Sequence, residues 1–128
     1  IFAASITPAS VQCARKALEI LKREPERVAN LKEISDYARE QLRKKKVDIR
    51  DSFAPIIPLN TYDNETTFLV CKRLFDKGVY VNSVVSPAVP VGEAIIRTSY
   101  MATLTKEQID RATDIIAEVM DEFNLLKK

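Results

Sequence analysis

The sequence predicts an α+β domain in which a small antiparallel or mixed sheet of about three strands packs against helices. Three observations carry that expectation. Four long stretches repeat apolar residues at three- and four-residue spacing, three shorter stretches are rich in β-branched residues, and the two kinds follow one another as helix, helix, strand, helix, strand, strand, helix. At 128 residues and 46% apolar composition, the chain has the size and oiliness of a single domain that needs no disulfide or metal staple.

The elements follow in order. Ile1 to Ala4 read as a strand end or buried linker. Thr7 then supplies an N-cap and Pro8 a first-turn proline, and Val11, Ala14, Leu18 and Leu21 continue at helical spacing to about Lys22. Pro25 opens a second helix whose Val28, Leu31, Ile34, Ala38 and Leu42 form one apolar stripe. It ends in Lys44, Lys45 and Lys46, cations that complement the negative end of the helix dipole. Ile56, Ile57 and Leu59, among Pro55 and Pro58, predict a short edge or irregular strand.

Asn64 is the expected cap of a third helix, with Phe68, Leu69, Leu74 and Phe75 facing inward and Gly78 ending it in the left-handed conformation. Val79, Tyr80 and Val81 begin a strand. The segment from Ser83 to Glu93, with Pro87, Pro90 and Gly92, reads as a loop, and Ala94 to Tyr100 as the next strand. Thr105 with Gln108 forms a capping box for a last helix that turns Ile109, Ala112, Ile116, Val119 and Phe123 inward.

Composition excludes several functions. Twenty basic against eighteen acidic residues leave a net charge of +2, scattered along helices, so no nucleic-acid partner is implied. No apolar run reaches the length of a membrane span, and no leader precedes the first helix, which predicts a cytoplasmic protein. The chain has no histidine, and its two cysteines, Cys13 and Cys71, stand apart as expected core thiols, so no metal site is expected. With two glycines it forms no glycine-rich phosphate cradle. No lysine reads as a buried Schiff-base former and no serine has a base at a useful spacing, so no catalytic residue is expected in this chain.

Arg97 sits on the strand Ala94 to Tyr100, where alternation places it with Ile95 and Ser99 on the face opposite Ile96 and Thr98. The residues alone leave open whether it is a solvated arginine, a structural partner of a helix carboxylate, or a two-pronged donor for a ligand carboxylate.

The run from Gly78 to Gln108, GVYVNSVVSPAVPVGEAIIRTSYMATLTKEQ, resembles the carboxy-terminal signature of the α-oxoamine synthase family, fold-type I enzymes that use pyridoxal 5'-phosphate. Ile1-Phe2-Ala3-Ala4-Ser5 with Pro8-Ala9, and Ser52 with Pro55-Ile56-Ile57-Pro58, resemble further family segments, so the likeness spans essentially the whole chain. One departure is Thr103-Leu104-Thr105, where the family commonly has Ala-His-Thr.

The resemblance implies that residues 1–128 are the small carboxy-terminal domain of a longer, homodimeric enzyme that condenses a small amino acid with an acyl-CoA. The large domain of the same polypeptide would hold the cofactor and its catalytic groups, so this chain is expected to bind no cofactor and to be inactive alone. It assigns Arg97 to the substrate carboxylate and the loop Ser86, Pro87, Ala88, Val89 and Pro90 to the acyl-CoA entrance. Two rivals stand beside it: the small domain of a pyridoxal-phosphate-dependent aminotransferase, and a stand-alone α+β binding module.

Overall fold

In the computed structural model, which describes residues 5–127, the side chain of Thr7 accepts the Ser10 amide at 3.3 Å and Pro8 takes the first helical position. Together they start α1 (Pro8–Arg23) as expected. The expected strand end at Ile1 to Ala4 lies outside the described residues. Pro25 then opens α2 (Glu26–Lys44). Three strands follow, β1 (Ile56–Tyr62), β2 (Asn82–Val84) and β3 (Ala94–Ser99), with α3 (Asn64–Asp76) between β1 and β2 and α4 (Lys106–Glu122) last. The sheet order is β1-β3-β2, antiparallel throughout.

One cluster holds the core. Ile34, Ala38 and Leu42 from α2, Val70 and Leu74 from α3, and Ile109, Ile116 and Val119 from α4 meet Ile57, Leu59 and Ile96 of the sheet. Because β1 and β3 bury alternate residues, all three helices cover the same face of the sheet. The capping box of α4 has both its hydrogen bonds, Gln108 N to Thr105 Oγ1 and Thr105 N to Gln108 Oε1. Gly78 has the left-handed φ of +86° required to leave α3.

Pro58 is tolerated inside β1 for a geometric reason. Its carbonyl accepts the Arg50 amide at 2.9 Å, so its missing N–H also points toward the 48–50 segment and not into the ladder with β3. That segment is a partial fourth strand: Asn60 N donates to the Asp48 carbonyl and Ile49 bridges to Leu59.

Several expectations are corrected. Phe68, Leu69 and Phe75 point to solvent; α3 turns Thr67, Val70 and Leu74 inward instead. Thr67 can lie buried because its hydroxyl is paired with Thr61 Oγ1 at 2.6 Å and with the Asp63 carbonyl. The cap of α3 is Asp63, whose carboxylate accepts Thr66 N, while Asn64 is the first helical residue. Val79 to Val81 form no ladder, because β2 begins only at Asn82; Ser83 and Val84 belong to that strand and not to the loop. Cys13 is exposed, whereas burial pushes the half-buried Cys71 thiol up to about 11. Val11, Leu18, Leu21 and Val28 are exposed, and α1 buries no side chain at all.

Two buried polar residues tie the periphery to this core. Arg39 of α2 donates from Nη1 to Asp36 at 2.7 Å and from Nη2 to the Ala54 carbonyl at 3.1 Å, holding the turn that enters β1. Asp48 accepts Asn60 Nδ2 at 3.0 Å, the Tyr62 hydroxyl and Lys127 Nζ at 2.7 Å, and Val47 bridges to Leu126. Burial pushes the Asp48 carboxyl up, but the bonds from Lys127, Tyr62 and Asn60 outweigh it and leave the group below the ordinary aspartate range.

Two outcomes follow for stability. In urea unfolding, Leu42→Ala costs about 3 kcal/mol through the cavity it opens, while Leu18→Ala on the bare face of α1 stays within about 0.5 kcal/mol. Since the folded Asp48 holds its proton less tightly than the unfolded chain does, its stabilisation is complete above the unfolded value of about 3.9 and is lost as pH falls through the lower folded value. Thermal melts of the native chain and Asp48→Asn therefore converge on going from pH 6 to the acid end of that window.

Candidate functional site

With α2, α3 and α4 on one side, no helix among the described residues packs against the other face of the sheet. Alternation dictates what lies on it. Ile56, Pro58 and Asn60 come from β1, Ile95, Arg97 and Ser99 from β3, and Asn82 and Val84 from β2. No carboxylate is among them.

Arg97 occupies the middle of this face. It belongs to the central strand, opposite Pro58 on one side and Asn82 on the other. Its side chain is exposed, and among the described residues its guanidinium makes no ion pair or hydrogen bond. By contrast Arg50, at the margin, is spent on structure: Nε donates to Asn60 Oδ1 at 2.7 Å and Nη2 to the Glu93 carbonyl at 2.9 Å. A planar five-donor fork without a partner, on strands that carry no carboxylate on this face and with Asp48 and Glu93 engaged at the β1 margin, can receive a ligand carboxylate. The structure thus does not give Arg97 the helix-carboxylate partner that its sequence context had left open.

The loop Val85 to Glu93 joins β2 to β3 at the Ile95 end of the face. Asn64 Oδ1 accepts the Ser86 amide at 3.2 Å and the Ala88 amide donates to the Val85 carbonyl at 2.9 Å, so the start of the loop is anchored to α3 and to itself. Pro87, Ala88 and Pro90 are exposed, while Ser86 and Val89 are half-buried. Gly92 leaves the loop at a φ of +83°, a conformation that disfavours any side chain.

At the opposite end the ladder between β2 and β3 stops at the Asn82–Arg97 pair. Beyond it a cleft of about 120 Å³ lies on the helix side, between the 79–81 segment, the end of β3 at Tyr100, Leu104, and Ile109 and Ala112 of α4. Leu104 packs against the core, so the place where the resemblance leads one to expect a histidine is apolar here. Burial raises the Tyr100 hydroxyl, keeping it protonated.

Sequence reasoning singled out Arg97 and the 86–90 loop; the structure sets Arg97 at the middle of the open face and the loop at the Ile95 end of the sheet, tied at Ser86 to α3. It missed Asn82. The pairing of β2 with β3 was the needed signal, and a nine-residue connection does not specify that register.

Among the described residues, no helix is long and apolar enough to cross a membrane, and no three His, Cys, Asp or Glu stand together as metal ligands. Nor do these residues fit a Schiff-base anchor for pyridoxal phosphate. The least exposed lysines, Lys45 and Lys77, are held in ion pairs by Asp114 and by Glu118 and Glu122.

The sequence profile of the family "aminotransferase class I and II" matches residues 1–116. Serine palmitoyltransferase of Sphingobacterium spiritivorum is 48% identical over 122 residues, covering 95% of this chain and 31% of that protein. An 8-amino-7-oxononanoate synthase of Bacillus pumilus is 35% identical over 126 residues, covering 98% and 32%. Among solved structures, a serine palmitoyltransferase from S. paucimobilis bound to a PLP-myriocin aldimine superposes with a TM-score of 0.87 at 23% identity, covering 98% of this chain and 32% of that one; this likeness is one of fold. The chain spans about a third of the length of these relatives.

The anchored loop generates a prediction of its own. Asn64→Ala removes the acceptor for the Ser86 amide, and that amide exchanges with solvent faster by hydrogen-exchange NMR, while amides of β3 keep their protection.

Proposed function

Since the chain belongs to the class I and II aminotransferase family and groups there with the α-oxoamine synthases, we propose that it is the carboxy-terminal substrate-binding domain of a pyridoxal-phosphate-dependent acyltransferase joining a small amino acid to an acyl-CoA. The observation that carries this reading is the Arg97 guanidinium, unpartnered among the described residues, at the centre of a sheet face on which β1, β2 and β3 themselves present no carboxylate.

In this proposal the cofactor is held by the rest of a longer polypeptide and supplies an electron sink for charge at the amino-acid α-carbon. What this chain does is bind and orient. Arg97 takes the substrate carboxylate with two parallel N–H donors, which fixes both the position and the rotation of the α-carbon. The half-rigid loop Ser86, Pro87, Ala88, Val89 and Pro90 borders the acyl-CoA entrance; its prolines lower the entropy lost when a chain packs along it. The complete enzyme is a cytoplasmic homodimer in this reading.

Relatives called serine palmitoyltransferase share more of this sequence than those called 8-amino-7-oxononanoate synthase, so L-serine with palmitoyl-CoA is the first substrate pair to test. In the complete polypeptide, Arg97→Ala raises KM for L-serine roughly 30- to 100-fold, the loss of charge-assisted hydrogen bonds to a carboxylate. Arg97→Lys keeps the charge without the fork and falls between. KM for palmitoyl-CoA stays within about twofold, as expected of a contact made only to the other substrate. Turnover of the amino acid with a 2-oxo acid as amino acceptor and no acyl-CoA would favour an aminotransferase instead, and no cofactor uptake by the complete polypeptide would favour a binding module.

A further inference from the structure

We propose that Asn82 is a second recognition group for the substrate carboxylate, its side-chain amide donating to the anion that Arg97 holds; this rests on the site reading given above for Arg97.

Strand register sets Asn82 directly beside Arg97. Arg97 has four near neighbours on the open face: Pro58 across β1, Asn82 across β2, and Ile95 and Ser99 along its own strand. Pro58 and Ile95 offer no donor. Pro58 also closes the β1 side with an apolar ring, so a carboxylate seated on the guanidinium finds its further donors toward β2. Directly opposed residues of an antiparallel pair lie about 5.5 Å apart at Cα, against roughly 6.6 Å for the next residue on the same face of one strand. Asn82 is therefore the nearer of the two polar groups, and its longer side chain reaches over the guanidinium where the short Ser99 hydroxyl stays close to the strand.

Asn82 is also available. It is exposed, and among the described residues its amide makes no hydrogen bond. The contrast is Asn60 on the same face, whose oxygen accepts Arg50 and whose nitrogen donates to Asp48. The backbone around Asn82 is defined by its pairing with β3, and the ladder ends there, so nothing in the sheet crowds its side chain. An amide is suited to the place: it adds a donor for the anion without a second positive charge, and its oxygen can accept from the guanidinium. The three groups then form a closed set of carboxylate, arginine and amide.

The test uses the complete polypeptide loaded with pyridoxal phosphate and reads half-saturation of the ligand-induced change in cofactor absorbance. The probes are L-serine and ethanolamine, which is the same molecule without the carboxylate. Asn82→Ala raises the half-saturating L-serine concentration about tenfold, the loss of one hydrogen bond to a charged group, and leaves ethanolamine unchanged. Asn82→Asp keeps the shape but sets a negative charge beside the anion, and weakens L-serine further still. Asn82→Ser retains a shorter donor and recovers part of the loss. If Asn82→Ala affects both probes equally or neither, the inference is overturned, and a selective loss of L-serine in Arg97→Ala still upholds the site. If Arg97→Ala leaves L-serine unaffected, the site reading itself falls.

Discussion

The register of β3 is the constraint on which the rest of the molecule depends. Its alternation puts Ala94, Ile96 and Thr98 into the core and Arg97 and Ser99 outside. A slip of one residue would exchange the two sets, drawing a guanidinium into a cluster of Leu42, Leu59, Val70 and Val119 and placing Ile96 in water. An unpaired ion in such surroundings costs several kcal/mol, so hydrophobic burial and charge solvation enforce the same register. Thr98 shows the accuracy of that placement, since its hydroxyl donates to the Ile57 carbonyl at 2.8 Å and is not left orphaned.

Layering then decides where chemistry can occur. Three helices on one side of a three-stranded sheet saturate one face and leave the other bare. At the β1 margin of that face polar groups are committed to structure, Asn60 accepting from Arg50 and donating to Asp48. Further in, Arg97 and Asn82 remain uncommitted. Polar groups thus differ by position: Asn60, Arg50 and Asp48 at the margin are engaged, while among the described residues the central Arg97 and Asn82 side chains make no hydrogen bond.

A second bare surface lies on α1. Its helical repeat of Val11, Leu18 and Leu21 is as regular as that of α2, yet none of these residues is buried. Periodicity reports that a helix has an apolar side and is silent on whether the described chain covers it. The same distinction explains α3, where Phe68, Leu69 and Phe75 carry the larger apolar area but Thr67, Val70 and Leu74 face the core. Phe75 instead packs edge-on against Tyr80 at the surface, with ring centroids 6.5 Å apart.

What the sequence determined by itself is local. The caps at Thr7 and Thr105, the exit at Gly78, the order of seven elements and the parity that sets Arg97 against Ile96 all depend on contacts within a few residues, and they were legible as such. The family also was legible, because its signature is a run of spaced residues in one segment. What only the tertiary structure decided is non-local: which strand flanks Arg97 on each side, that the Ala54 carbonyl receives one end of the buried Arg39 fork, and that Asp48 clamps the carboxy-terminal segment. Those facts arise from pairings fifteen or more residues apart along the chain, and loop closure specifies neither their register nor their partners until the core has formed.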